Sequence, residues 1–382
     1  MSVQRYQFVD SLRGMAILAV MFTHIGSITL GEAVGLPGLL RKVTNLGGMG
    51  VPLFYMISAF TIMLLFTKRR SSEPAPIRSF YIRRFMRIAP VYWAGIVGYT
   101  LMYGWTNSRG WLEAPELWHY PVHALFLNMT NPYTPSTVVP GGWSISNEML
   151  FYGIFPALYF AAKTPRSSVI LLLGCIIASP FFDQLASYLT STVFSGSTPN
   201  EAKQFAYRWL PNQMSCFAAG FVLFHVFNRI QIIGKDGVSP PVKFGALSTV
   251  LTLPPVIIGF GSGPLHYNHL WTLWFLALAV CIIVFDWKLL SNTVFSWVGK
   301  VSFSCYIFHF AVIEVIYRHL PHATELQRFF EVSALAIPVT LSLAHLSFKY
   351  YETPVGRLTA RVVASVQKSQ SPSSAIGTSP GQ

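Results

Sequence analysis

Long apolar runs, separated by short polar stretches, recur along the chain at about 14–30, 50–66, 88–104, 144–162, 168–188, 211–228, 244–260, 270–286, 297–317 and 331–348. A helix of roughly 20 such residues crosses the hydrocarbon region of a bilayer. Inside lipid every backbone polar group must bond within the protein, which favours helices. The pattern therefore predicts an all-α, polytopic membrane helix bundle of about ten transmembrane helices.

Composition agrees with lipid as the solvent. Hydrophobic residues make up 52% of the 382 and charged ones 11%, against roughly a quarter charged in soluble proteins. The net charge of +13 would suit nucleic acid or anionic lipid, but its placement reads as a topology signal. With both ends cytoplasmic, twenty of the 27 Lys and Arg fall on the cytoplasmic side. Only Arg41, Lys42, Arg109, Lys203, Arg208, Arg318 and Arg328 lie outside. That bias predicts cytoplasmic termini and no nucleic-acid partner.

The first apolar run starts after Arg13 and lacks a small-residue cleavage site, so it is expected to stay as a helix. The loop at about 105–142 carries Trp105, Trp111, Trp118, Tyr120, Glu113 and Glu116. It is expected to pack across the outer mouth, its aromatic residues serving equally as interfacial anchors. Residues 367–382 are rich in Ser, Pro and Gly and read as disordered. The division is thus one membrane domain over 1–355 and a cytoplasmic, disordered tail over 356–382, with no room for a second folded domain.

Cys175, Cys216, Cys281 and Cys305 sit within apolar runs, where a thiol is a small hydrophobe; neither a disulfide nor a metal site is expected. No phosphate-binding glycine loop, dinucleotide fingerprint or metal-ligand cluster occurs, which argues against ATP-driven transport and metal-dependent hydrolysis.

Polar residues inside the spans are costly and mark function or interhelical bonding. Arg13 and His24 are eleven positions apart, three turns plus about 20°, with a rise of about 16 Å. Asp10 lies about 40° off the same line, so one stripe carries Asp10, Arg13 and His24, with His24 near mid-membrane. Arg84 and Arg87, three apart in the segment 80–92, are spaced to chelate a phosphate or to anchor the helix end; their clustering with Arg13 and Arg83 would decide. Glu148, about five residues into its span, requires a proton, a partner or a watery cavity. From its depth it is expected to approach His24. His309, also near mid-membrane, reads as a second proton-handling group or, preferably, as an interhelical hydrogen bond.

These segments resemble the acyltransferase-3 family of integral membrane acyltransferases. The carriers are FVDSLRGMAILAVMFTH, with a basic residue, ten residues and then His, followed in the family's order by GVPLFYMISAF (50–60), RRFMRIAPVYW (83–93), WSISNEMLFYGIFP (143–156), GKVSFSCYIFH (299–309) and YYETP (350–354). The resemblance implies transfer of an acyl group, usually acetyl, from cytoplasmic acetyl-CoA as co-substrate to a hydroxyl of an exported or surface carbohydrate such as lipopolysaccharide O-antigen or exopolysaccharide. On it, His24 and Glu148 become catalytic candidates and Arg13, Arg84 and Arg87 candidates for the CoA phosphates. Asp10, Trp143, Ser144 and His309 stand as substrate or supporting positions. No metal is implied, and the location is a bacterial inner membrane. Two alternatives remain open at this point: an acyltransferase for a small molecule such as a macrolide, and a proton-coupled exporter of a glycan or small acid relaying protons through His24 and Glu148.

Overall fold

The computed structural model describes residues 6–31, 35–109, 113–260, 267–321 and 324–370. Arg5, Trp111 and the last twelve residues of the expected tail lie outside them. Each expected span falls on a helix, and no strand forms among the described residues.

In chain order the helices are α1 (Gln7–Thr29), α2 (Leu36–Asn45), α3 (Gly50–Arg70), α4 (Pro76–Tyr103), α5 (His119–Ala124), α6 (Gly142–Ala161) and α7 (Pro165–Thr192). They continue with α8 (Pro199–Arg208), α9 (Leu210–Ile233), α10 (Pro240–Phe260), α11 (Tyr267–Phe285), α12 (Thr293–His319), α13 (Glu325–Ser347) and α14 (Thr353–Gln370). Eight helical stretches are long and apolar enough to cross a membrane. The two remaining expected spans, α4 and α6, are diluted by Arg78, Arg83, Arg84 and Arg87 and by Ser144, Ser146, Asn147 and Glu148 respectively. Of these, Arg84, Arg87, Ser144 and Glu148 line the interior cavities described below, so part of the polarity that weakens the apolar signal belongs to the candidate site.

α1 runs through the middle of the bundle, packed chiefly on α12 and also on α3 and α13, while α3 packs chiefly on α9. Small residues permit the closest crossings, as is usual where lipid removes the hydrophobic drive for helix association. A Cβ placed on Gly14 would meet the Phe295 carbonyl oxygen at 2.1 Å, and one on Gly299 the Asp10 carbonyl oxygen at 1.8 Å. Gly220 brings α9 equally close to Met56 on α3. α7 and α10 are the least buried spans and form the rim.

The segment from 356 onward, read as a disordered tail, is instead helical as far as Gln370. Its basic and apolar residues alternate at helical spacing, so one face of α14 can dock on α4: Gln367 Nε2 donates to Ser79 Oγ at 3.2 Å, and Tyr351 OH, just before α14, to the Pro90 carbonyl at 3.1 Å. A Ser/Pro/Gly-rich end beyond this helix masks its pattern in the sequence.

The long loop between α4 and α6 folds back onto both helices. Arg109, fully buried, donates to the Tyr99 carbonyl at 2.5 Å and to Tyr120 OH at 2.7 Å. Met129 N–H donates to Ser146 Oγ at 3.2 Å. His123 is clamped between Tyr92 OH at its Nδ1 and the Thr134 carbonyl at its Nε2, both at 2.8 Å. The carbonyl must accept from Nε2–H, so Nδ1 accepts from the tyrosine and the imidazole is held neutral.

Candidate active site

Arg13, Arg84 and Arg87 converge between α1 and α4. Arg13 reaches Asp10 Oδ1 at 3.3 Å and Thr61 Oγ1 of α3 at 3.0 Å, so the α1 stripe turns inward. Arg84 and Arg87 share one face of α4, as the i, i+3 spacing requires. Arg83, a further 100° round, turns away and forms a two-pronged pair with Glu73 at 2.9 and 2.5 Å. Among the described residues no carboxylate lies within 4 Å of Arg84 or Arg87. The Arg84 Nε is buried without a partner, and its guanidinium lies 5.9 Å from the Tyr152 ring centre. Two guanidiniums that line a cavity with no carboxylate paired to them could hold an anion there.

The three arginines line two adjoining cavities. One, partly open to solvent, adds Tyr6, Asp10 and Lys300 near the ends of α1 and α12. The other is bounded by Ser58, Ser144, Glu148, Tyr152 and Tyr306. In the second, Glu148 Oε1 accepts from Ser58 Oγ at 2.5 Å and from Tyr152 OH. The carboxylate thus faces the arginines across the cavity instead of reaching His24. Sequence depth placed Glu148 correctly within its helix, but helix rotation points it at α3 and α4.

Hydroxyls close the far end of this cavity. Ser144 Oγ bonds Tyr306 OH at 2.7 Å, Tyr306 OH donates to the Gly141 carbonyl at 3.1 Å, and Tyr55 OH donates to the Ser144 carbonyl at 3.2 Å. Trp143 packs edge-on to Tyr55, their rings 6.5 Å apart.

His24 lies beyond that layer and does not line the cavity. Its ring is half-buried, 5.3 Å from the ring of His309 and 4.3 Å from that of Phe310. Among the described residues the imidazole makes ring contacts and no hydrogen bond, while its carbonyl accepts from Ser27 Oγ. His309 is fully buried; its Nδ1 bonds the Cys305 carbonyl one turn below at 3.1 Å, and its Nε2 is buried with no partner. The interhelical bond expected of His309 is therefore replaced by a bond within its own helix. That bond assigns the proton to Nδ1 and leaves a lone pair on Nε2.

Sequence reading overlooked Ser58, Thr61, Tyr152, Lys300 and Tyr306. Tyr152 is four residues after Glu148 and so shares its helix face, a findable signal. Ser58 and Thr61 come from a different helix and carry none. No group of His, Cys, Asp and Glu able to hold a metal occurs among the described residues.

The acyltransferase-3 family model, described as an acyltransferase domain, matches residues 6–345. The chain belongs to the acyltransferase-3 family. It is similar to the peptidoglycan O-acetyltransferase OatA of Listeria monocytogenes, at 23% identity over 370 residues, covering 91% of this chain and 55% of that protein. A shorter likeness, 32% identity over 141 residues, links 35% of this chain to 42% of the exopolysaccharide production protein ExoZ of Rhizobium meliloti. The chain thus spans about half the length of the first of these relatives. No solved structure matches it.

Proposed function

We propose that the protein is a membrane-bound O-acyltransferase that moves an acetyl group from acetyl-CoA, taken up on the cytoplasmic side, to a hydroxyl of an exported or cell-surface carbohydrate. The observation that carries this reading is the meeting of Arg13, Arg84 and Arg87 at the junction of two cavities, two of them without a carboxylate partner, in a chain of an acyltransferase family. The names of the Listeria and Rhizobium relatives support a polysaccharide acceptor. The bias of Lys and Arg supports cytoplasmic ends, hence a cytoplasmic basic mouth, and placement in a bacterial inner membrane.

In this reading the CoA phosphates rest on Arg84, Arg87 and Arg13, with Lys300 at the rim. The pantetheine arm threads the cavity past Ser58 and Glu148 toward Tyr306, and the Ser144–Tyr306 layer that closes the cavity parts to admit the thioester to His24 beyond it. The acceptor enters from the side of the loop between α4 and α6, past Trp143 and Ser144, and meets His24. His24 acts as general base: the acceptor hydroxyl loses its proton to the imidazole as its oxygen attacks the thioester carbonyl carbon. The carbonyl π pair moves to oxygen, then returns as the C–S bond breaks, and the imidazolium proton passes to the departing thiolate. Glu148, bonded to Ser58 and Tyr152, shapes the acyl channel and sits opposite the arginines. Asp10 holds Arg13.

Protein in lipid vesicles, given acetyl-CoA labelled in the acetyl group and the polysaccharide fraction of cells lacking the protein, should release free CoA and label the polysaccharide. The His24→Ala variant should insert and fold yet transfer nothing. Transfer at the unsubstituted rate by that variant would overturn the assignment.

A further inference from the structure

Tyr306 of α12 stands between the cavity bounded by Glu148 and the pair of histidines. It lines the closed end of that cavity, and its ring lies 5.5 Å from that of His309, which in turn lies 5.3 Å from that of His24. Residues 306 and 309 are three apart on one helix and share a face, so the tyrosine is the step from cavity to imidazoles. Its side chain is buried, and its tip is held by the start of α6. Ser144 Oγ donates to the Tyr306 oxygen at 2.7 Å, and Tyr306 O–H donates to the Gly141 carbonyl at 3.1 Å. Gly141 permits this approach: its φ is 73°, and a Cβ there would stand 3.0 Å from both the Tyr306 oxygen and the Phe310 ring. Gly141 is also the last residue before α6 of the loop that follows α4, which is closed on itself there as Gly142 N–H donates to the Val139 carbonyl at 2.9 Å. The latch thus joins the donor cavity to the loop past which the acceptor enters.

We propose that Tyr306 is a positioning residue that decides between carbohydrate and water as acceptor: its bonds to Ser144 and Gly141 keep the donor cavity closed from His24 until carbohydrate settles against the loop between α4 and α6. The inference rests on the acyl-transfer reading above. A thioester beside a general base is open to water as well as to sugar. In that side reaction a water oxygen attacks the thioester carbonyl carbon as His24 takes one of the water protons. The C–S bond then breaks, sulfur leaves with its electrons and takes the proton from the imidazolium, and acetate and CoA result. Closure that withholds water until a site is complete prevents such losses. The latch consists of two hydrogen bonds of modest net strength, so a ligand that displaces Gly141 through the loop needs only a small differential affinity to open it. Carbohydrate hydroxyls, which both donate and accept, match the groups that the parted latch exposes.

The test uses the protein in vesicles with acetyl-CoA labelled in the acetyl group, with and without polysaccharide from cells lacking the protein. Tyr306→Phe keeps the ring and removes both bonds. Without polysaccharide it should release CoA and labelled acetate about ten-fold faster than the unsubstituted protein, the population shift expected from losing one or two such bonds. With polysaccharide it should release more CoA per acetyl group transferred. Ser144→Ala, which spares the bond to Gly141, should show a smaller rise, and adding His24→Ala to Tyr306→Phe should abolish the leak. Release by Tyr306→Phe no faster than that of the unsubstituted protein would overturn the proposal, as would a leak that survives His24→Ala. Less release and less transfer together with a lowered thermal midpoint would show a structural role and likewise overturn it. No leak in Tyr306→Phe while His24→Ala is inactive would remove this inference and leave the acyl-transfer reading standing; full activity of His24→Ala would remove the reading itself.

Discussion

His24 and His309 hold their imidazole rings 5.3 Å apart across the contact between α1 and α12, and the Phe310 ring lies against both, at 4.3 and 4.2 Å. The bond from His309 Nδ1 to the Cys305 carbonyl leaves Nε2 as an acceptor with no protein partner. Such an arrangement suits a group that steadies or relays the proton taken up by His24. Replacing His309 with Ala should lower kcat by about 10²-fold while KM for acetyl-CoA holds. A fall in thermal midpoint with kcat preserved would reduce His309 to a packing residue.

Arg83 and Arg84 are neighbours in sequence with opposite fates, and substitution should separate them. Arg84→Ala and Arg87→Ala should each raise KM for acetyl-CoA by about ten-fold or more, the worth of one charged hydrogen bond. Acetyl-pantetheine, which lacks the nucleotide phosphates, should be used equally well by these variants and by the parent. Arg83→Ala should leave both values unchanged and cost at most about 1 kcal/mol through loss of its pair with Glu73. Steady-state kinetics with the two donors checks all three.

The apolar runs were sufficient to place the ten long apolar helices, because a bilayer punishes any other backbone, but not the short helices or α14. Position along a helix was equally readable: at 1.5 Å per residue His24 and His309 were expected at a similar level, and their rings lie 5.3 Å apart. Azimuth was readable only within one helix: the i, i+3 relation of Arg84 and Arg87 was, and the turning away of Arg83 follows from the same geometry. Rotation of one helix against another depends on packing, and the Gly14 and Gly299 crossing bears on it for α1 against α12. Hence the pairing of Glu148 with Ser58, and of His24 with His309, lay beyond the sequence.

That crossing should be intolerant of a single methyl group. Ala at Gly299 would set its Cβ 1.8 Å from the Asp10 carbonyl oxygen, and Ala at Gly14 2.1 Å from that of Phe295; backbone cannot yield as a side-chain tip does. Either substitution should cost about 1–3 kcal/mol and lower kcat, because α1 carries His24 past His309. Gly153 on α6 has open space around a built Cβ, and Gly153→Ala should be neutral or stabilising by up to about 1 kcal/mol. Thermal midpoints in detergent, read beside transfer rates, would test the contrast.

Acid should open the loop between α4 and α6 through His123. Burial pushes this imidazole from 6.5 down to about 3, with its bond to the Thr134 carbonyl opposing the shift. The folded loop therefore binds fewer protons than the unfolded one between these values, and stability rises with pH across that window. The contribution is fully present above about 6.5 and is lost progressively as pH falls toward about 3. Protonation at Nδ1 would also reverse this hydrogen bond, so that the buried Tyr92 oxygen accepts and its own O–H must turn elsewhere, weakening the tie between loop and α4. Hydrogen exchange over residues 119–139 should accelerate as the pH is lowered, after correction for the intrinsic chemical rate. His123→Gln, which keeps polar atoms without the titration, should flatten that dependence; an unaltered pH profile in the variant would assign the acid sensitivity to another group.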